Sequence, residues 1–277
     1  MRTLIIPDVH LKIDRVKKII AQNDFDTLVS LGDWFDDFYD DPTMHTVTAK
    51  YILDLYQKYG EKFIWLLGNH DVPYVFQALL HNYWCSGNTD AKAKAVKAVF
   101  DRHLNLSNVQ LCHIVEQKGC KPIIMSHAGV HKKHFSGNEP IGVKPTRVTA
   151  KTVQARCEAA LMNSMIGVED NLFRAGQARW GPLPVGGITW LDWNLEFEPI
   201  NAFHQIVGHT PLRGLPMVTS GKNALRFDAP YTPEQETIYN IQLAKDTTYN
   251  INLDTHLRHY AVLYDATLKV FAYDAYE

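Results

Sequence analysis

Cysteine is scarce in this chain: 277 residues hold four, Cys85, Cys112, Cys120 and Cys157. None belongs to a CxxC pair and their spacing outlines no framework, which argues against a disulfide scaffold and a cysteine zinc module. We expect reduced thiols in a cytoplasmic protein. Long apolar runs are missing as well. The opening MRTLIIPDVH is too short for the apolar region of a signal peptide and meets an acid at once. No stretch approaches the length needed to cross a membrane. Nor is there an excess of one charge: 28 Lys and Arg face 30 Asp and Glu, a formal net charge of -2. That balance argues against general polyanion binding, and no basic stripe with interleaved aromatics marks a nucleic-acid groove. Internal repeats, low-complexity tracts and a GxSxG nucleophile motif are absent.

Histidine, by contrast, is well supplied. Thirteen occur, several beside glycine or aspartate. Short apolar runs end repeatedly in Gly, Asp, Asn or His. TLIIPDVH predicts a strand over 3–6 followed by Asp8 and His10. DTLVSLGD predicts one over 27–31 followed by Asp33. KFIWLLGNHD gives a strand over 62–67 followed by Asn69 and His70. KPIIMSHAG gives one over 122–126 before His127, and FHQIVGHTP one over 203–207 before His209. Continuous apolar runs of this length suit strands buried on both faces.

Helices are expected between the first strands. Residues 12–22 space Ile13, Val16, Ile19 and Ile20 helically, and residues 43–59 set Val47, Tyr51, Leu55 and Tyr59 on one stripe. Alternating strands and helices imply an α/β chain with a largely parallel sheet. Residues 131–200 differ in texture and read as a helical insertion or cap within a single domain of 277 residues, with a helix over 150–166. The tail from about 215 reads as β-rich, and HYAVLYDATLKVFAYD predicts a hairpin turning at Asp265-Ala266-Thr267.

Strand carboxyl ends are where sites assemble in open α/β sheets. Five strand ends in order carry metal-ligand residue types. The motifs DVH (8–10), GDWFD (32–36), GNHD (68–71), SHAG (126–129) and GHTP (208–211) resemble those of the calcineurin-like metallophosphoesterases, nearest to the branch of phosphoprotein phosphatases and diadenosine tetraphosphatases. The resemblance implies a two-layer β-sandwich flanked by helices, and a centre of two divalent metal ions at the strand ends. It implies Asp8 and His10 as ligands of the first metal and Asp33 as the shared carboxylate. Asn69, His127 and His209 would bind the second. Mixed nitrogen and oxygen ligands suit Mn²⁺, with Fe or Zn²⁺ as alternatives. The implied reaction is in-line attack on a phosphate ester by a hydroxide bridging the metals. His70 matches the family's proton donor and Asp36 its carboxylate partner.

The stretch LGDWFDDFY holds three acids among large apolar residues. Asp33 and Asp36 have the roles just given, Asp37 reads as a solvated or loop-structuring acid, and Trp34 and Phe35 as core or site wall. Protein Ser/Thr phosphatases of the family read GDxxDRG, with the arginine gripping phosphate. Here Asp37 and Phe38 stand in its place. A replacement cation is sought among Arg147, Arg156, Arg174 and Arg179, with Arg179 in GQARWGP first. The motif GHTP puts Pro211 where many phosphodiesterases have a second histidine. A phosphomonoesterase is therefore the leading expectation, acting on a phosphoprotein, a nucleotide or another small phosphate ester. A phosphodiesterase or dinucleoside polyphosphate hydrolase is the alternative. A non-catalytic interaction module is disfavoured, because every implied ligand remains.

Overall fold

The computed structural model describes residues 1–37, 39–105, 109–135, 147–220, 223–225 and 237–273. Phe38, and residues 136–146 of the expected cap, lie outside them. The first β-branched run forms β1 (Arg2–Ile6), which pairs in parallel with β2 (Thr27–Ser30) at a register of Thr3 to Thr27. Successive side chains of a strand point to opposite faces. Leu4, Ile6 and Leu28 therefore pack toward the helices, while Ile5 and Val29 face a second sheet.

The remaining strands are β3 (Phe63–Leu66), β4 (Val109–Gln110), β5 (Cys112–Val115), β6 (Ile123–Ser126), β7 (His204–Val207), β8 (Met217–Ser220), β9 (Asn223–Leu225), β10 (Thr237–Gln242), β11 (Tyr249–Asn252), β12 (His259–Tyr264) and β13 (Thr267–Ala272). The first sheet has the order β10-β13-β12-β1-β2-β3-β4, and the second β5-β6-β7-β11-β8-β9. The two stack face to face over Ile5, Val29, Leu66, Met125, Ile206 and Ile251. This is an α/β sandwich of two mixed sheets with helices outside. The parallel sheet expected from alternation is one side of the first sheet, β1 to β4. Antiparallel β12, β13 and β10 extend it at one side. The hairpin between β12 and β13 turns at Asp265 and Ala266, both with positive φ (43° and 61°), as a turn matching strand twist requires.

Among the described residues the helices are α1 (Ile13–Gln22), α2 (Pro42–Tyr59), α3 (Val72–Val75), α4 (Asp90–His103), α5 (Lys132–Phe135) and α6 (Ala150–Met165). None is long and apolar enough to cross a membrane. Val16 and Ile19 of α1 are buried, with Ile13 and Ile20 at the edge of the core. For α2 the expected stripe is rotated. The buried face carries His45, Thr48, Ala49, Ile52 and Leu55, while Val47 is 47% exposed and Tyr51 and Tyr59 are only partly buried. The reason lies at the start of the helix. Asp41 caps it, accepting from the Thr43 and Met44 amides, and Pro42 occupies a first-turn position where no amide donor is needed. This start directs His45 inward, toward a polar site that apolar periodicity does not report.

Two outcomes are expected. Ile52→Ala, on the buried face, should cost about 2–5 kcal/mol, while Val47→Ala should stay within about 0.5 kcal/mol; urea unfolding of both variants checks the rotation. Burial lowers His204 and His259 to about 4. His204 Nδ1 accepts the Tyr249 amide at 3.0 Å and cannot do so when protonated. The unfolded chain then binds more protons between pH 4 and about 6.5. Stability should therefore be full above that window and fall as pH drops through it, as read from urea midpoints.

Candidate metal centre and proton-donor pair

Each predicted strand end delivers its polar residues within four positions of the last paired residue, at the carboxyl ends of strands from both sheets. The chain bends sharply to do so. His10, Asp33, Asp36 and His209 all have positive φ, at 43°, 50°, 61° and 69°. Such strain in residues other than glycine persists only where surrounding structure over-determines it, and it concentrates at functional sites. Asp71 supplies much of that determination. Its buried carboxylate accepts from the amides of Asp33 (2.8 Å), Trp34 (2.8 Å) and Gly68 (2.9 Å) and from the Trp65 indole (3.0 Å). It thereby ties the loop after β2 to the loop after β3. Burial and the nearby Asp33 push Asp71 up to about 7, and the donated hydrogen bonds work against that rise.

Among the described residues four clusters of potential metal-binding atoms form; two centre on Asp36 (with His70 and Cys85, and with Asp40 and His45), and Asp33 belongs to the other two. One is Asp8, His10 and Asp33; the other is Asp33, His127 and His209. In the second, His127 Nε2 lies 3.0 Å from Asn69 Oδ1, 3.1 Å from His209 Nδ1 and 3.3 Å from Asp33 Oδ2. His127 Nδ1 donates to the Leu31 carbonyl at 2.8 Å, which turns Nε2 toward Asp33. Burial opposes charge on the ring, but Asp33 outweighs it and raises His127 to about 9. In the first cluster His10 Nδ1 donates to the Asp36 carbonyl at 2.7 Å, so that Nε2 turns toward Asp33 Oδ2 at 3.8 Å.

In the second cluster the proton on His127 offsets the acid, a place a metal cation would take, whereas no such offset prevails at Asp8 in the first cluster. Burial and Asp254 drive Asp8 well above the usual carboxylate range. Burial acts the same way on Asp33, but His127 and His70 outweigh it and hold Asp33 well below that range. His209 Nε2 is buried with no hydrogen-bond partner. The backbone also makes room for the acids. A Cβ on Gly208 would collide with Asp8 Oδ1, and one on Gly68 with Asp33. The donor set therefore fits divalent metal ions.

Beside the clusters stands a second constellation. His70 Nδ1 is 3.0 Å from Asp36 Oδ2, and the His70 amide donates to Asp33 Oδ1 at 2.9 Å. Burial opposes charge on the His70 ring, but Cys85, Asp33 and the bond to Asp36 outweigh it and raise its pKa well above the usual imidazole value. Asp36 is likewise held well below its usual range. Burial is overcome there by hydrogen bonds from His45, His70 and Tyr74.

Several neighbours had no motif to reveal them. His45, Tyr74, Cys85 and Lys92 all approach Asp36. Asp254, buried beyond β11, lies near enough to Asp8 to raise its pKa. Asp37 pairs with Lys12 at 3.4 Å, and Lys12 also donates to the His10 carbonyl at 3.3 Å. The fourth residue of GNHD, Asp71, was visible in the motif but not as a brace. Trp34 and Phe35 are buried in the core. Of the four candidate arginines, Arg156 pairs with Asp170 and Arg174 with Glu169. Arg179 holds Asp192 at 2.7 Å and donates to Thr210 Oγ1 at 3.2 Å, one residue from His209.

The profile of the calcineurin-like phosphoesterases matches residues 1–149, more than half of the chain. The chain belongs to the calcineurin-like phosphoesterases. It is thus a metallophosphoesterase, a hydrolase acting on ester bonds. No curated protein matches it. Among solved structures, a cold-active protein tyrosine phosphatase of the psychrophile Shewanella sp. is 16% identical, with a TM-score of 0.50 over 99% of this chain and 78% of that one. Another structure of a cold-active protein tyrosine phosphatase is 15% identical, with a TM-score of 0.52 over 99% and 76%. A metallophosphoesterase from Sphaerobacter thermophilus is 15% identical, with a TM-score of 0.46 over 98% and 87%. At these identities the likeness to the two phosphatase structures is one of fold.

Gly208→Ala should push Asp8 aside. Affinity for a divalent ion, measured by equilibrium dialysis with Mn²⁺, is expected to fall about 10–100-fold, as it does when groups orienting metal ligands are disturbed. Unchanged affinity would separate Asp8 from metal binding.

Proposed function

We propose that this phosphoesterase is a two-metal phosphatase acting on phosphate monoesters. The observation that carries the reading is Asp33, one buried carboxylate common to two donor clusters, with the His70–Asp36 pair beside it. Asp8, His10 and Asp33 would hold one ion, and Asp33, Asn69, His127 and His209 the other. Mn²⁺ is the metal to try first, with Fe and Zn²⁺ behind it, because the ligands mix imidazole and oxygen donors. When bound, such ions supply Lewis acidity toward phosphate oxygens and a water acidic enough to be the nucleophile near neutral pH.

The protein's own groups do the rest. His10 and His127 are each fixed by a backbone carbonyl at one ring nitrogen, so the other is aimed in advance. His70, kept protonated by Asp36, gives its Nε2 proton to the leaving oxygen as the P–O bond breaks. Arg179, held by Asp192 and bonded to Thr210 beside His209, would bind non-bridging phosphate oxygens through its guanidinium. The substrate is a phosphoprotein, a nucleotide or another small phosphate ester.

Metal-stripped protein should regain activity with Mn²⁺ and cleave p-nitrophenyl phosphate in preference to its bis-ester. Preference for the bis-ester would instead support the phosphodiesterase or dinucleoside polyphosphate reading, and cleavage of neither with any of the three metals would overturn both. His70→Asn should keep its metals and lose about 10²–10⁴-fold in turnover of an ester with a poor leaving group. In Arg179→Ala the rise should fall chiefly on KM, read from the same steady-state series.

A further inference from the structure

His45 belongs to no motif, yet its ring is the most enclosed polar group around Asp36. It is fully buried near the start of α2. Its Nδ1 lies 2.9 Å from the Asp41 carbonyl. Its Nε2 lies 3.0 Å from Asp36 Oδ1 and 3.6 Å from Asp40 Oδ2. Phe35 stacks on the ring at 5.7 Å with an interplanar angle of 15°, and Tyr74 packs at 5.4 Å. The ring is thus clamped from its faces as well as at both nitrogens.

The two oxygens of Asp36 have unequal partners. Oδ1 faces His45, the Tyr74 hydroxyl at 2.6 Å and Lys92 Nζ at 3.6 Å. Oδ2 faces His70 Nδ1 at 3.0 Å, with the Cys85 thiol at 3.8 Å. A carboxylate offers about four lone-pair sites. The Tyr74 hydroxyl and His45 Nε2 bind Oδ1, with Lys92 at ion-pair distance, and leave the other oxygen for His70. Core packing does not call for histidine at position 45. An apolar residue of similar size would fill the space without the cost of burying a polar ring.

We propose that His45 is a positioning residue for the proton donor. With Tyr74 it pins the Asp36 carboxylate so that Oδ2 stays aligned on His70. It touches no substrate and gives up no proton. The proton leaves His70 Nε2 for the departing alkoxide oxygen as that oxygen's bond to phosphorus breaks and a bond from water to phosphorus forms. This inference rests on the reading of His70 and Asp36 above and adds what keeps that pair in line.

The test compares two esters that differ in their need for a proton. p-Nitrophenolate departs without one, and the alkoxide of glycerol phosphate requires it. With Mn²⁺-loaded full-length protein, His45→Leu should lose at least about tenfold more kcat on glycerol phosphate than on p-nitrophenyl phosphate, a fraction of a general acid's usual contribution. KM and bound metal should hold. His45→Gln retains one donor toward Asp36 and should recover part of the difference. Tyr74→Phe should shift the ratio in the same direction. Equal losses on both esters, or loss of metal, would reduce His45 to a structural role. Should His45→Leu fail to fold, unchanged ratios in both His45→Gln and Tyr74→Phe would overturn the proposal. His70→Asn separates the two levels of the argument. If it leaves the ratio unchanged, the assignment of His70 falls and this inference with it. If it shifts the ratio while the His45 and Tyr74 variants do not, only the positioning role falls.

Discussion

The constraint on which the structure turns is the crowding of polar groups around the buried Asp33. Its carboxylate is almost wholly buried, meets His127 and His10 from two directions, and takes the His70 amide on its other oxygen. Polar and charged groups stay this crowded in the dry interior only if the backbone forces them and a counter-charge rewards them. The force comes from left-handed backbone at the loop ends and from Asp71, whose four hydrogen bonds lock two loops to one carboxylate. The reward, in our reading, comes from two divalent ions. The second sheet then has a clear purpose: it brings His127 and His209 over the acids that the first sheet presents.

A division of labour follows around Asp36. Its backbone carbonyl orients His10 for the proposed metal centre, and its carboxylate faces His70. One residue in a strained turn thus couples the geometry of two functions. That the carboxylate attracts donors from α2, α3 and α4 shows how much of the outer helical layer serves the site as well as the core.

Much of this was legible in the sequence, because strand-end chemistry is local. An apolar run followed by Asp8, Asp33, Asn69, His127 or His209 states both the strand and the residue it delivers. The hairpin at Asp265 was equally plain, since its turn chemistry is written in adjacent residues. Position 45 was not legible. Val47, Tyr51 and Tyr59 make a convincing apolar stripe on α2, but the face that is buried is chosen partly by His45 reaching a carboxylate nine residues earlier across a loop. Hydrophobic periodicity cannot register a polar group buried for a purpose. Asp254 and Lys12 escaped for a related reason: each meets the site through tertiary contact and carries no neighbouring signature.

The pairing of β1 with β12 has a temporal consequence. Arg2 lies opposite Tyr264, so the strand that carries Asp8 gains its outer neighbour only after some 260 further residues have been made. Until then the first sheet has an open edge in its middle, and the acids at its strand ends lack the histidine supplied by β7. Asp8 and Asp33 therefore meet His127 and His209 only when strands far apart in the sequence have paired. Closure over such sequence distances is intrinsically slow.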